Sequence, residues 1–131
     1  MAKNVANRDS FPFSAVGTAY GSEPSLEWQV EGAGIIEIAF ENYGEGKYNP
    51  PQSSNSFTAK FQEADDPAGP WTDLNDISGG SSQRTVVPKG TQKLAIQISK
   101  PYLRMLAYGN ASGEVIISWD ESIQSVGLRI V

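Results

Sequence analysis

Three apolar runs between Thr91 and Trp119 constrain this chain most: TQKLAIQIS, KPYLRMLAYG and NASGEVIISW. Polar or turn-forming residues bound each run, and no helical spacing of apolar residues intervenes. The pattern predicts three adjacent strands of an antiparallel sheet. In the first run Leu94, Ile96 and Ile98 point inward. In the third, Val115, Ile117 and Trp119 alternate with Glu114, Ile116 and Ser118. The middle run is apolar on both faces. Leu103, Met105 and Ala107 form one face; Tyr102, Arg104, Leu106 and Tyr108 form the other. A strand with two apolar faces is central in a two-layer fold or is covered by a neighbouring subunit. Tyr102, Arg104, Leu106 and Tyr108 are therefore candidates for a subunit interface.

The same period of two recurs upstream. Leu26, Trp28 and Val30 share a face opposite Glu27, Gln29 and Glu31. Gly32-Ala33-Gly34 reads as a turn joining that strand in a hairpin to Ile36, Ile38 and Phe40. Phe57, Ala59 and Phe61 mark another strand, and Trp71 to Leu74 a short one with Trp71 and Leu74 both reaching the core. Arg84 to Val87 is a short extended piece, and Val126, Leu128 and Ile130 close the chain as a last strand. The expectation is an all-β protein: an antiparallel β-sandwich or closed barrel of about eight or nine strands with an irregular N-terminal arm. Residues 26–131 form a single β-sandwich domain in this reading. Residues 1–25 are an N-terminal arm or first edge segment, with Phe11 and Phe13 flanking Pro12 as aromatic anchors for a partner. The longest loop runs from Asn42 to Ser56, and its Tyr43 and Tyr48 are candidates for a contact surface, since Tyr is enriched at interfaces.

The residue types present exclude much chemistry. With no Cys and no His, there is no disulfide, thiolate nucleophile or imidazole base, and the common zinc and copper ligand sets are missing. Asp65, Asp66, Asp73 and Asp76 lie in turns without the alternating spacing of a calcium loop or the paired placement of glycosidase carboxyls. No catalytic residue, metal or cofactor is expected. A formal charge of -5 with scattered basic residues opposes nucleic-acid binding. No apolar run is long enough to span a membrane. The opening MAKNVANRDS has charge but no apolar core behind it, so no secretion signal is expected and the Asn110-Ala111-Ser112 sequon is discounted.

One stretch carries a resemblance. Phe57-Thr58-Ala59-Lys60-Phe61-Gln62-Glu63-Ala64-Asp65-Asp66, followed by Pro67-Ala68-Gly69-Pro70-Trp71-Thr72-Asp73-Leu74, resembles a unit of small β-sandwich accessory virion proteins of tailed bacteriophages. Lys100-Pro101-Tyr102-Leu103-Arg104, with the strand, turn and strand through Trp119, is similar to the part that follows. The likeness is greatest to a head decoration protein. It implies a non-enzymatic structural role: bridging and stabilising major capsid subunits at the capsid surface of a virion made in the host cytoplasm. It also implies a homo-oligomer, trimers being common, and no nucleic-acid or membrane partner. A carbohydrate-binding β-sandwich module using Tyr43, Tyr48 or Trp71 is the alternative, as is a tail or baseplate domain.

Overall fold

The computed structural model describes residues 7–21, 26–45 and 55–129. Among the described residues, ten strands follow one another: β1 Asn7–Ala15, β2 Leu26–Gly32, β3 Gly34–Glu45, β4 Phe57–Ala64, β5 Thr72–Asp73, β6 Arg84–Val86, β7 Thr91–Ile98, β8 Tyr102–Gly109, β9 Ala111–Trp119 and β10 Ile123–Leu128. They form two antiparallel sheets. The smaller has the order β1-β9-β3-β7; the larger runs β10-β2-β8-β4-β5, with β6 also pairing β4. The expected all-β sandwich is what the chain forms.

The path through the sheets has a simple origin. Strands β1 with β9, β2 with β8, β3 with β7 and β4 with β6 are the pairings of one antiparallel ribbon doubled back on itself. Rolling that ribbon adds two further pairings, β3 with β9 and β4 with β8. This is a jelly roll, with β5 and β10 added to the edges of its larger sheet.

Rolling explains two departures from the sequence reading. The three runs between Thr91 and Trp119 are strands, but they are not neighbours. β7 pairs β3, β8 lies between β2 and β4, and β9 lies between β1 and β3. Likewise β2 and β3 are no hairpin, because Gly32-Ala33-Gly34 carries the chain from the larger sheet to the smaller. Gly32 has φ 103°, and a Cβ there would lie 2.7 Å from the carbonyl oxygen of Ser122. Only glycine fits that crossing without displacing backbone.

The alternation does fix which face is inward. Trp28, Val30, Phe57, Phe61, Leu103 and Met105 of the larger sheet meet Ile36, Ile38, Phe40, Ile96, Val115 and Ile117 of the smaller. Strand β1 contributes directly to this core. Phe11 packs edge-on to Trp28 at 5.4 Å, and Phe13 edge-on to Phe57 at 4.9 Å. Both rings are buried, so they are corrected from partner anchors to core residues: they take part in aromatic packing inside their own domain. Asn7–Ala15 is thus a sheet edge and not a projecting arm. Trp71 is a second correction. Leu74 is buried as expected, but Trp71 lies half-buried outside the core: the two flank β5 three residues apart, and positions an odd number apart along an extended segment face opposite sides.

Two buried polar groups tie connections to this frame. Glu63 on β4 accepts hydrogen bonds from Ser99 N (3.1 Å), Ser99 Oγ (3.0 Å) and Lys100 N (3.3 Å), pinning the turn between β7 and β8. Asn42, near the end of β3, donates to the carbonyls of Asn55 (2.8 Å) and Val86 (2.9 Å) and accepts from Gly44 N (2.8 Å). Asn55 donates to Gly44 O at 3.4 Å, and Asn110 donates to Asn55 Oδ1 at 3.2 Å. The Asn110 amide of the discounted sequon is therefore already engaged in the fold.

Candidate functional site

The outward face of the larger sheet holds the most organised set of polar and aromatic side chains. It arises from register. Glu27 on β2 lies opposite Arg104 on β8, Arg104 opposite Gln62 on β4, and Gln62 opposite Asp73 on β5. A single rung therefore crosses four strands with an unbroken polar sequence. Arg129, just past β10, extends it by donating from Nη1 to Glu27 Oε1 at 2.6 Å. Arg104 Nε donates to Gln62 Oε1 at 2.7 Å, and Gln62 Nε2 donates to Asp73 Oδ1 at 2.6 Å. Lys60 Nζ lies 3.2 Å from Asp73 Oδ1.

Aromatic rings lie against the cations of this rung. The Arg104 guanidinium stands 4.3 Å from the centre of the Trp71 ring, that of Arg129 5.8 Å from Tyr102, and Lys60 Nζ 4.9 Å from Tyr20. Tyr20 also packs edge-on to Tyr108 at 4.8 Å and donates its hydroxyl to Gln83 Oε1 at 2.9 Å. The electrostatics follow. Burial pulls the Arg104 guanidinium down, while the Glu27 and Asp73 carboxylates oppose that shift. The hydrogen bond from Gln62, aided by Lys60 and Arg104, holds Asp73 below the ordinary carboxylate value. Burial, then the neighbouring Tyr108, pushes the Tyr20 phenol up. Cations, carboxylates and rings on this face are mutually matched.

Tyr102, Arg104, Leu106 and Tyr108 all lie on this face, and the structure brings them together with groups that sequence reading had placed elsewhere. Leu106 is buried; the other three are half-buried. Glu27 was read as an outward acid and is buried through its pairing with Arg129. Trp71, Tyr20, Gln62 and Arg129 were not singled out for this surface. Their link to Arg104 depends on strand register and on chain crossings; the only local signal was a lone Arg in an apolar strand.

Tyr43 is on the opposite surface, the outward face of the smaller sheet, 42% exposed. There Glu41 on β3 lies directly opposite Glu114 on β9. Their shared hydrogen bond raises Glu41 above its ordinary 4.5, with the Glu114 charge adding and Arg8 opposing. A depression of about 740 Å³ crosses this sheet, with Arg8, Glu37, Glu41 and Lys93 among its walls. Tyr48 falls outside the described residues. Among the described residues, no group of three or more Asp or Glu side chains could hold a metal ion, and no helix is long and apolar enough to cross a membrane.

No protein-family model matches the chain, and no curated protein matches it. Among solved structures, the SPBc2 prophage-derived protein YomS is similar at TM-score 0.53, with 13% identity over 92% of this chain and 99% of that one. PirA is similar at TM-score 0.46, with 15% identity over 90% and 97%. The empty virus-like particle of Cowpea Mosaic Virus is similar at TM-score 0.44, with 11% identity over 100% and 88%. The likeness to YomS is one of fold, spanning nearly the whole of both chains.

Proposed function

We propose that this chain is a non-enzymatic structural protein of a phage virion, a capsid decoration protein that binds major capsid subunits through the outward face of its larger sheet. One observation carries the binding role: the rung Arg129–Glu27–Arg104–Gln62–Asp73, backed by Trp71, Tyr102 and Tyr20. Arg, Trp and Tyr are the side chains that dominate interface energetics, and here they are held in place before any partner arrives. The virion setting draws support from the resemblance of the Phe57 to Trp119 stretch and from a fold shared with a prophage-derived protein. The mechanism is bridging. A protein that binds only the assembled shell stabilises it by mass action, in proportion to the logarithm of its concentration over its dissociation constant.

Purified protein mixed with undecorated shells and sedimented tests this. The expected result is saturable binding, weakened at least tenfold by Arg104→Ala combined with Trp71→Ala in a protein that keeps its β-sheet spectrum. No binding to intact shells overturns the reading. Binding to isolated tails in place of heads moves it to a tail or baseplate role.

A further inference from the structure

The edges of the two sheets are not equally guarded. A sheet edge presents unpaired backbone donors and acceptors, which proteins block with proline, charge, shortness or a covering segment. Edge strand β1 carries Pro12 within it and Arg8 and Asp9 near its start. The open side of β7 is crossed by the chain at Asp76, which bridges to Ile96, and Ile77 N donates to Ala95 O at 2.9 Å. β5 has two residues; β6 has three. β10, Ile123-Gln124-Ser125-Val126-Gly127-Leu128, has no charge and no proline, and among the described residues no strand pairs its outer side.

Register identifies the groups on that side. Arg129 N donates to Glu27 O at 2.7 Å, and Gly127 lies opposite Gln29 and Ser125 opposite Glu31. In an antiparallel pair the bonding side alternates. Ser125, Gly127 and Arg129 therefore turn their backbone groups toward β2, while Val126 and Leu128 turn theirs outward. The pairing with β2 is irregular between Ile123 and Ser125, so the regular run is Ser125 to Arg129, centred on Gly127. A Cβ at Gly127 would meet nothing within 4 Å.

We infer that β10 pairs with β10 of a second copy of this chain, about a two-fold axis at Gly127, joining the two larger sheets into one continuous sheet. A two-fold contact must be self-complementary, and this edge is. Val126 bonds with the partner's Leu128 and Leu128 with the partner's Val126, which uses every outward backbone group of the regular run. The two Gly127 residues meet at the axis with no side chains to separate them. Leu128, 49% exposed, gains an apolar neighbour in the partner's Val126. Arg129 comes opposite the partner's Ser125, whose hydroxyl donates to Glu31, so opposite charges approach on each side of the axis.

The absence of cysteine makes the test direct. Residues facing each other at a non-bonded antiparallel position have Cα atoms about 4.5 Å apart, within the roughly 4.4–6.8 Å that a disulfide spans. Gly127→Cys is expected to form a disulfide-linked dimer on mild oxidation. Ser125→Cys is expected to give none, because the two copies of that position sit about 14 Å apart along the strands. By sedimentation at about 50 µM the unaltered protein is expected to be dimeric. Leu128→Pro, which removes one outward N–H and leaves the bonds to β2, is expected to give a folded monomer. A monomeric unaltered protein overturns the inference, as does a dimer unchanged by Leu128→Pro or equal cross-linking at Ser125→Cys. The result is independent of shell binding: a dimer without affinity for capsids leaves the edge pairing standing.

Discussion

Single residues on the two outward faces show opposite electrostatic designs. On the larger sheet each cation of the central rung has a carboxylate or a ring as partner. On the smaller sheet Glu41 and Glu114 face each other across a strand pair, an arrangement that destabilises a sheet while both are ionised. The raised Glu41 value means that the folded chain holds its proton to higher pH than the unfolded chain does. Folding therefore gains stability as pH falls through the window above 4.5, and the repulsion is in full force above that window. Glu41→Gln is expected to raise the melting temperature at about pH 7, with the gain shrinking toward zero near pH 4. Calorimetry across that range checks both the sign and the window; a gain independent of pH would show that the carboxyl pair is not its source.

At the scale of elements, the connections are held by buried side chains more than by the strands they join. Glu63 reaches from β4 to three donors in the turn between β7 and β8. Its removal leaves those donors without their acceptor, and Glu63→Ala is expected to cost about 1–3 kcal/mol in urea unfolding. Glu63→Gln keeps one acceptor oxygen and is expected to cost less. This kind of residue also marks where the sequence stops being legible. Period-two patterning located β2, β4, β7, β8 and β9 and assigned Trp28, Phe61, Ile96, Leu103 and Ile117 to the core, because side-chain alternation is a local property of the strand. Pairing is not local. Glu27 sits at a position that alternates outward and reads as a solvated acid, and Glu63 continues the inward face of Phe57, Ala59 and Phe61; both are buried with partners more than thirty residues away. The rung through Arg104 was hidden for the same reason: its members lie on different strands, brought into line only by register.

For the molecule as a whole, the rolled ribbon makes neighbours of residues far apart in sequence, with Asn7 paired to Trp119 at one end of the smaller sheet. The chain must close these distant pairs before most of its core can form. Strand β1 completes that closure; residues 1–25 read as an arm or as a first edge segment, because Pro12 and the polar residues around it suit an edge strand as well as a loop, and Asn7–Ala15 lies at the sheet edge. Phe11→Ala is expected to lower the stability of the whole domain by about 3–5 kcal/mol in one cooperative urea transition. A near-neutral effect would mean that β1 lies outside the cooperative unit. The asparagine network at the end of β3 has a different kind of consequence. Asn42 and Asn55 anchor the two ends of the stretch between them to each other and to the carbonyl of Val86. Lengthening a stretch whose ends are already fixed costs only about 0.6 kcal/mol per doubling. An insertion between Asn42 and Asn55 is therefore one that the roll can accept at small cost, provided the two asparagines keep their bonds.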